Sequence, residues 1–130
     1  MEKYVEFSEL KGKILSKVET FSHNHESHND AIRFLVSDFE YYELRHEQDC
    51  CEDVDIESIV GDLSTLVGYQ ILLAEEVTQP DENADESGTW TFYKLGTIKG
   101  YVDIRFYGAS NGYYSEEVSL VLVNKGQQNL

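Results

Sequence analysis

His46, Cys50 and Cys51 place an imidazole and two thiols in one short run, His-x-x-x-Cys-Cys, and these are the only two cysteines in the chain. Imidazole nitrogen and thiolate sulfur are the donors of tetrahedral structural zinc, whose fourth ligand often comes from elsewhere in the fold. Here the fourth would be His23, His25 or His28, or a carboxylate such as Asp49 or Asp62. Adjacent side chains in an extended chain point apart, so Cys50 and Cys51 share one ion only where the backbone turns between them. The plainer alternative is one buried and one partly exposed cysteine. A Cys–His nucleophile pair is the enzymatic version of the same residues. Glu47, Asp49, Glu52, Asp53 and Asp55 argue against it, because their negative charge disfavours the thiolate.

Those acids belong to a band of ten carboxylates between residues 38 and 62, which holds Arg45 as its only base. Carboxylates presented in this way imitate phosphates and suit a basic groove, with Glu47, Asp49, Glu52 and Asp53 as the contact set. A calcium loop would need alternating Asp positions closed by Gly, and the band lacks them. Each single acid, taken alone, is better read as part of a solvated face. Arg105, Asn111 and Tyr113, with Tyr114, form a second candidate set that stacks and pairs a small ligand, or else ordinary turn chemistry with packed aromatics. The sequence contains no Gly-rich phosphate loop, nucleophile elbow or His-Glu-x-x-His motif, so a non-enzymatic role is expected.

The whole chain repeats the bias of that band. Over 130 residues, 25 acids against 10 bases give a net charge of −15, which disfavours direct binding to nucleic acid or anionic membrane. Hydrophobic residues make up 41% and aromatics 12%, enough for one globular domain over residues 1–130. The first residues lack a basic-then-apolar leader layout, so a cytoplasmic protein is expected, and there neighbouring cysteines are thiols or ligands rather than a disulfide.

Residues 13–21, 31–36 and 40–46 read as strands, the first two forming a hairpin across the polar run 23–30. In the third, Tyr42, Leu44 and His46 share one face, and Tyr41, Glu43 and Arg45 the other. Ile56, Ile59, Val60, Leu63 and Val67 recur at helical spacing, so a helix is expected there, closed by Gly68. Residues 71–77, 89–95, 101–107 and 117–123 read as four more strands. The acidic run 79–88 reads as a mobile loop, Asn111-Gly112 as a hairpin turn and 124–130 as a frayed tail. The expected class is α+β: a twisted antiparallel sheet of about seven strands in the order β-β-β-α-β-β-β-β, with one helix on one face. Trp90, Phe92, Ile104, Phe106, Leu120 and Leu122 are the expected core, and Tyr93, Tyr101 and Tyr107 the opposite face.

Several runs together resemble a small family of unknown function carried by phages and prophages, many from Gram-positive hosts. They are His46-x-Gln48-Asp49-Cys50-Cys51-Glu52, Ile56-Glu57-Ser58-Ile59-x-Gly61-Asp62-Leu63, Ala74-Glu75-Glu76, Trp90-Thr91-Phe92-Tyr93-Lys94 and Ser110-Asn111-Gly112-Tyr113-Tyr114-Ser115, within about residues 9–122. The resemblance implies a context of host-defence evasion. Proteins similar in size and charge include inhibitors of type II CRISPR effectors, which bind Cas9 and block guide or target DNA loading. It thus implies an acidic anti-CRISPR protein, with a structural zinc at His46, Cys50 and Cys51. The alternative in the same context is a sponge for a cyclic nucleotide defence messenger at Arg105, Asn111 and Tyr113.

Overall fold

The computed structural model describes residues 1–22 and 30–126. Among the described residues the chain forms nine strands. The first four are β1 Glu2–Val5, β2 Lys17–Phe21, β3 Ala31–Leu35 and β4 Glu40–Arg45. They are followed by β5 Asp53–Val60, β6 Leu73–Pro80, β7 Ser87–Thr97, β8 Gly100–Ser110 and β9 Ser119–Asn124. Single 3-10 turns occupy Phe7–Leu10 and Leu63–Leu66. The strands make two antiparallel sheets, one ordered β1-β9-β4-β3-β2 and the other β5-β8-β7-β6. The two sheets share one core. Ile32, Phe34, Tyr42, Leu44 and Leu120 from the first meet Val54, Tyr93, Leu95, Val102, Ile104 and Phe106 from the second. Phe7, Leu10 and Leu66 of the 3-10 turns add to the same cluster.

This corrects the expected α+β class. The residues read as a helix are β5, the turn at Gly61 and the 3-10 turn Leu63–Leu66. The misreading has a definite cause. Ile56 pairs with Phe106 and Ile59 with Ile104, and a β-bulge between Ile56 and Ser58 inserts one extra residue. The bulge moves the inward position from the second residue to the third, so a strand acquires the three-residue spacing of a helix. Gly61 turns the chain at φ +110°, and an added Cβ would lie 2.5 Å from the Tyr101 carbonyl oxygen. Close packing thus holds this glycine, in a turn rather than in a helix.

The first strand was also hidden. Glu2, Lys3 and Tyr4 are all exposed, so β1 has no apolar alternation, and pairing with β9 alone defines it. The β2–β3 hairpin pairs as expected, although the run expected to turn it, 23–29, lies outside the described residues. Asn111-Gly112 does turn, with Gly112 at φ +89°, but β8 and β9 belong to different sheets. The segment is therefore a crossing between layers and no hairpin. Of the expected loop 79–88, both ends are strand, and Asp81 fastens the remainder by accepting from the Tyr107 hydroxyl at 2.7 Å. Register likewise reassigns the core. Tyr93 faces Ile104 across the β7–β8 pair and goes inside with it, while Trp90 faces Tyr107 on the outer surface.

Candidate functional site

Strand alternation carries His46 into the interior, as its pattern predicts: Tyr42, Leu44 and His46 are all buried. Beyond His46 the chain folds back on itself around one carboxylate. Glu52 lies 2.7 Å from His46 Nε2 and accepts the amides of Asp49 at 2.8 Å and Cys50 at 2.9 Å. The other ring nitrogen, Nδ1, lies 2.6 Å from the Glu117 carbonyl oxygen. The Glu117 carbonyl can only accept, so Nδ1 donates to it, and Nε2 is left facing the Glu52 carboxylate. Burial by itself would raise the Glu52 pKa; the His46 ring and the amides of Cys50 and Asp49 outweigh it and hold the group at about 2. Gln48 closes the turn by donating to the carbonyls of Glu52 at 2.7 Å and Cys50 at 3.2 Å.

The turn does bend between the cysteines, but it joins their sulfurs to each other, at the surface. This corrects both the expectation of free thiols and the metal-site reading of His46, Cys50 and Cys51. The sulfurs are bonded together, the imidazole is engaged on the inside, and no group of three or more His, Cys, Asp or Glu among the described residues is placed to hold a metal ion. His23, His25 and His28, the histidines offered as fourth ligand, lie outside the described residues. The buried His46–Glu52 contact, with the bond from His46 to the Glu117 carbonyl, pins the β4–β5 connection against the segment that leads into β9.

The acidic contact set divides in the same way. Glu47, Asp49 and Asp53 are at the surface, whereas Glu52 is 1% exposed and faces inward. Glu47 takes Arg45 at 2.9 Å and the Tyr4 hydroxyl at 3.0 Å. Glu43 is buried between Arg33 and Arg45, at 3.0 Å from each. Glu57 binds Arg105 at 2.5 Å. The band is continuous along the chain but crosses from β4 in one sheet to β5 on the edge of the other, so it forms no single surface.

The second candidate set does not converge. Arg105 stacks over Trp90 at 5.1 Å on the outer face of the four-stranded sheet. Asn111 and Tyr113 lie beyond the end of β8, and the five strand residues after Arg105 alone span about 16 Å.

Sequence reasoning missed an acidic groove between the sheets. Two hollows of about 490 and 480 Å³ share Glu76, Glu117 and Val118. Glu6, Glu9 and Lys3 line the first, with the apolar Val5 and Phe7; Glu116, Tyr114 and the hydroxyl residues Thr78, Ser87, Thr89 and Thr91 line the second. Some of these acids are bonded. Glu116 accepts from Ser110 at 2.5 Å and Thr89 at 2.7 Å, bonds that outweigh its partial burial and hold its pKa below the ordinary value. Glu9 accepts from the Tyr42 hydroxyl at 3.2 Å. Glu6, Glu76 and Glu117 are exposed and form no ion pair among the described residues. The Tyr93 hydroxyl is buried and faces the Glu76 carboxylate across the β6–β7 pair, without a hydrogen bond of ordinary geometry to any group among the described residues. Burial first, then the facing carboxylate of Glu76 and the charge of Glu117, push its pKa far above the usual tyrosine value. The available signal was alternation on β6, which puts Glu76 and Thr78 on the same face as buried Ala74, where apolar residues would be expected.

No helix among the described residues is long and apolar enough to cross a membrane. A family model described as a domain of unknown function (DUF7448) matches residues 8–120. No curated protein and no solved structure matches the chain.

Proposed function

We propose a binding role for this chain, which belongs to the DUF7448 family of domains of unknown function: it is an acidic inhibitor that docks on a basic protein surface. The observation that carries this reading is the net charge of −15 on a small sandwich, with Glu6, Glu76 and Glu117 exposed and in no ion pair among the described residues. Such a surface is steered toward concentrations of Lys and Arg at long range and competes there with nucleic acid. In its fuller form, supported by the motif resemblance, the protein is a phage or prophage antagonist of host defence acting in the host cytoplasm. Its partner is the guide- or DNA-binding groove of a Cas9-type nuclease.

The test is a Cas9 cleavage assay with the purified protein added before or after guide and target DNA. Inhibition that depends on addition order, and that weakens as salt is raised, is the expected result. Full cleavage at excess protein sinks the Cas9 reading. The sponge alternative receives no support from geometry, because Arg105 is committed to Glu57 and Trp90 and stands away from Asn111 and Tyr113. An anionic messenger would also be repelled by the acidic groove.

A further inference from the structure

We infer that the end of the sandwich formed by the β7–β8 turn and its neighbours is a docking surface for an anionic phospholipid bilayer. Three segments are stitched together there. The Gly12 amide donates to the Ile71 carbonyl and the Ile71 amide to the Lys13 carbonyl, each at 2.8 Å. The Leu72 amide donates to the Gly96 carbonyl at 2.8 Å, and the Lys99 ammonium stands over the Tyr69 ring at 5.1 Å. Residues 10–18, 63–74 and 95–102 contain no acid, in a chain that has 25. They supply Lys11, Lys13 and Lys99, which form no ion pair among the described residues, and Lys17, which pairs with Glu19. Of the eleven large hydrophobic side chains exposed among the described residues, five belong to these segments: Ile14, Tyr69, Leu72, Ile98 and Tyr101. The bordering acids are Asp38, Asp62, Glu75 and Asp103. Asp62 accepts the Ser64 amide at 2.9 Å, and Glu75 and Asp103 flank Lys94 on the neighbouring strands.

The composition identifies the occupant. An exposed apolar patch marks an interaction surface, and here it is mixed with Tyr and Lys. Apolar tips enter the acyl boundary of a bilayer, Tyr sits at the headgroup level, and Lys lays its stem on apolar surface with its ammonium toward phosphate. Protein interfaces favour Arg and are depleted in Lys. The three Arg residues of this chain, Arg33, Arg45 and Arg105, are each held by a glutamate elsewhere. Ile98, 74% exposed, projects with Lys99 from the turn between Thr97 and Gly100, a convex shape that meets a surface rather than enclosing a small ligand. The net charge of −15 opposes a membrane only where it is felt, and screening limits that reach to about 8 Å at physiological ionic strength. The acids at 49–53 and 81–86 lie at the far end of the four-stranded sheet, where Asp53 pairs with Ala109 and Ser87 with Ser110. Along β8 that end is about 30 Å away. This surface is separate from the acidic contacts of the inhibitor reading, and neither needs the other.

The experiment sediments the full chain with vesicles of phosphatidylcholine alone and with vesicles of equal parts phosphatidylcholine and phosphatidylserine. Binding to the anionic vesicles alone, weakening as salt is raised, is the expected result. Lys11→Gln, Lys13→Gln and Lys99→Gln each weaken it about fivefold. Ile98→Ser weakens it on the order of tenfold with the charge unchanged and the melting temperature held, because Ile98 is already exposed in the folded chain. A chain that stays in solution with anionic vesicles at low salt overturns the inference. So does binding that Lys99→Gln weakens and Ile98→Ser leaves intact, which marks an anion site without insertion. Self-association that Ile98→Ser and Lys99→Gln abolish, in a chain that ignores vesicles, reassigns the surface to a second copy and overturns the bilayer.

Discussion

The turn around Glu52 and the groove around Glu76 and Glu117 are both acidic, and His46 touches each: its Nε2 meets the Glu52 carboxylate and its Nδ1 the Glu117 backbone. In the turn the central carboxylate is wrapped by an imidazole and two amides and is closed to solvent. In the groove, Glu76 and Glu117 are open to solvent and form no ion pair among the described residues. Negative charge alone therefore says little about use. A carboxylate whose acceptor sites are filled from within builds the fold, and one whose sites stay empty is available to something outside it.

The largest effect that would break this contrast is on folding. Glu52→Gln removes the buried carboxylate that meets the His46 ring and the amides of Asp49 and Cys50, and should cost about 3–5 kcal/mol in a urea unfolding experiment. A loss no larger than that of a surface acid would erase the distinction between the two regions. Glu116→Gln sharpens the point, because Glu116 lines the groove yet is bonded to Ser110 and Thr89. It should cost about 1.5–3 kcal/mol by the same measurement, the value of hydrogen bonds to a charged group.

Acid titration separates the regions without mutation. Glu52 is held near 2, below its ordinary 4.5, so its contribution is complete above that ordinary value and drains away as the pH falls toward 2. Glu116 is shifted in the same direction and adds to the same limb. Denaturation midpoints should fall over that window, and Glu52→Gln should flatten the decline. A protein equally stable throughout would contradict the buried pair. The smallest effects belong to the open groove. Glu76→Gln and Glu117→Gln should each shift stability by less than about 0.5 kcal/mol. Tyr93→Phe should be neutral or slightly stabilising, since it removes a buried hydroxyl that makes no hydrogen bond of ordinary geometry among the described residues.

The sequence was legible where a strand alternates cleanly and opaque where a bulge or a distant partner decides. His46 could be placed inside because Tyr42 and Leu44 precede it at even spacing. The hairpin of β2 and β3 needed only local pattern. Ile56 and Ile59 misled because the β5 bulge imitates helical period, and the β-branched residues between Val54 and Val60 were the contrary signal. Glu2–Val5 shows nothing until Leu120–Val123 is placed beside it. The cysteines drew attention by type, yet the residue that organises their turn is Glu52, four bonds of which depend on where the backbone returns. The groove was unreadable in one dimension, since Glu6, Glu76, Tyr93 and Glu117 come from four separated parts of the chain.

One consequence of the strand order concerns time. Strand β9 lies between β1 and β4, so the five-stranded sheet joins its first strand to the rest only through residues 119–124. On a ribosome, β1 must wait unpaired while more than a hundred residues are made, and β2, β3 and β4 can assemble long before it. Pairings this distant close slowly, in the millisecond-to-second range of β-sandwiches rather than the microseconds of helical bundles. The docking of β9 is thus the step that completes the sheet, and it carries with it the Glu117 carbonyl that receives His46.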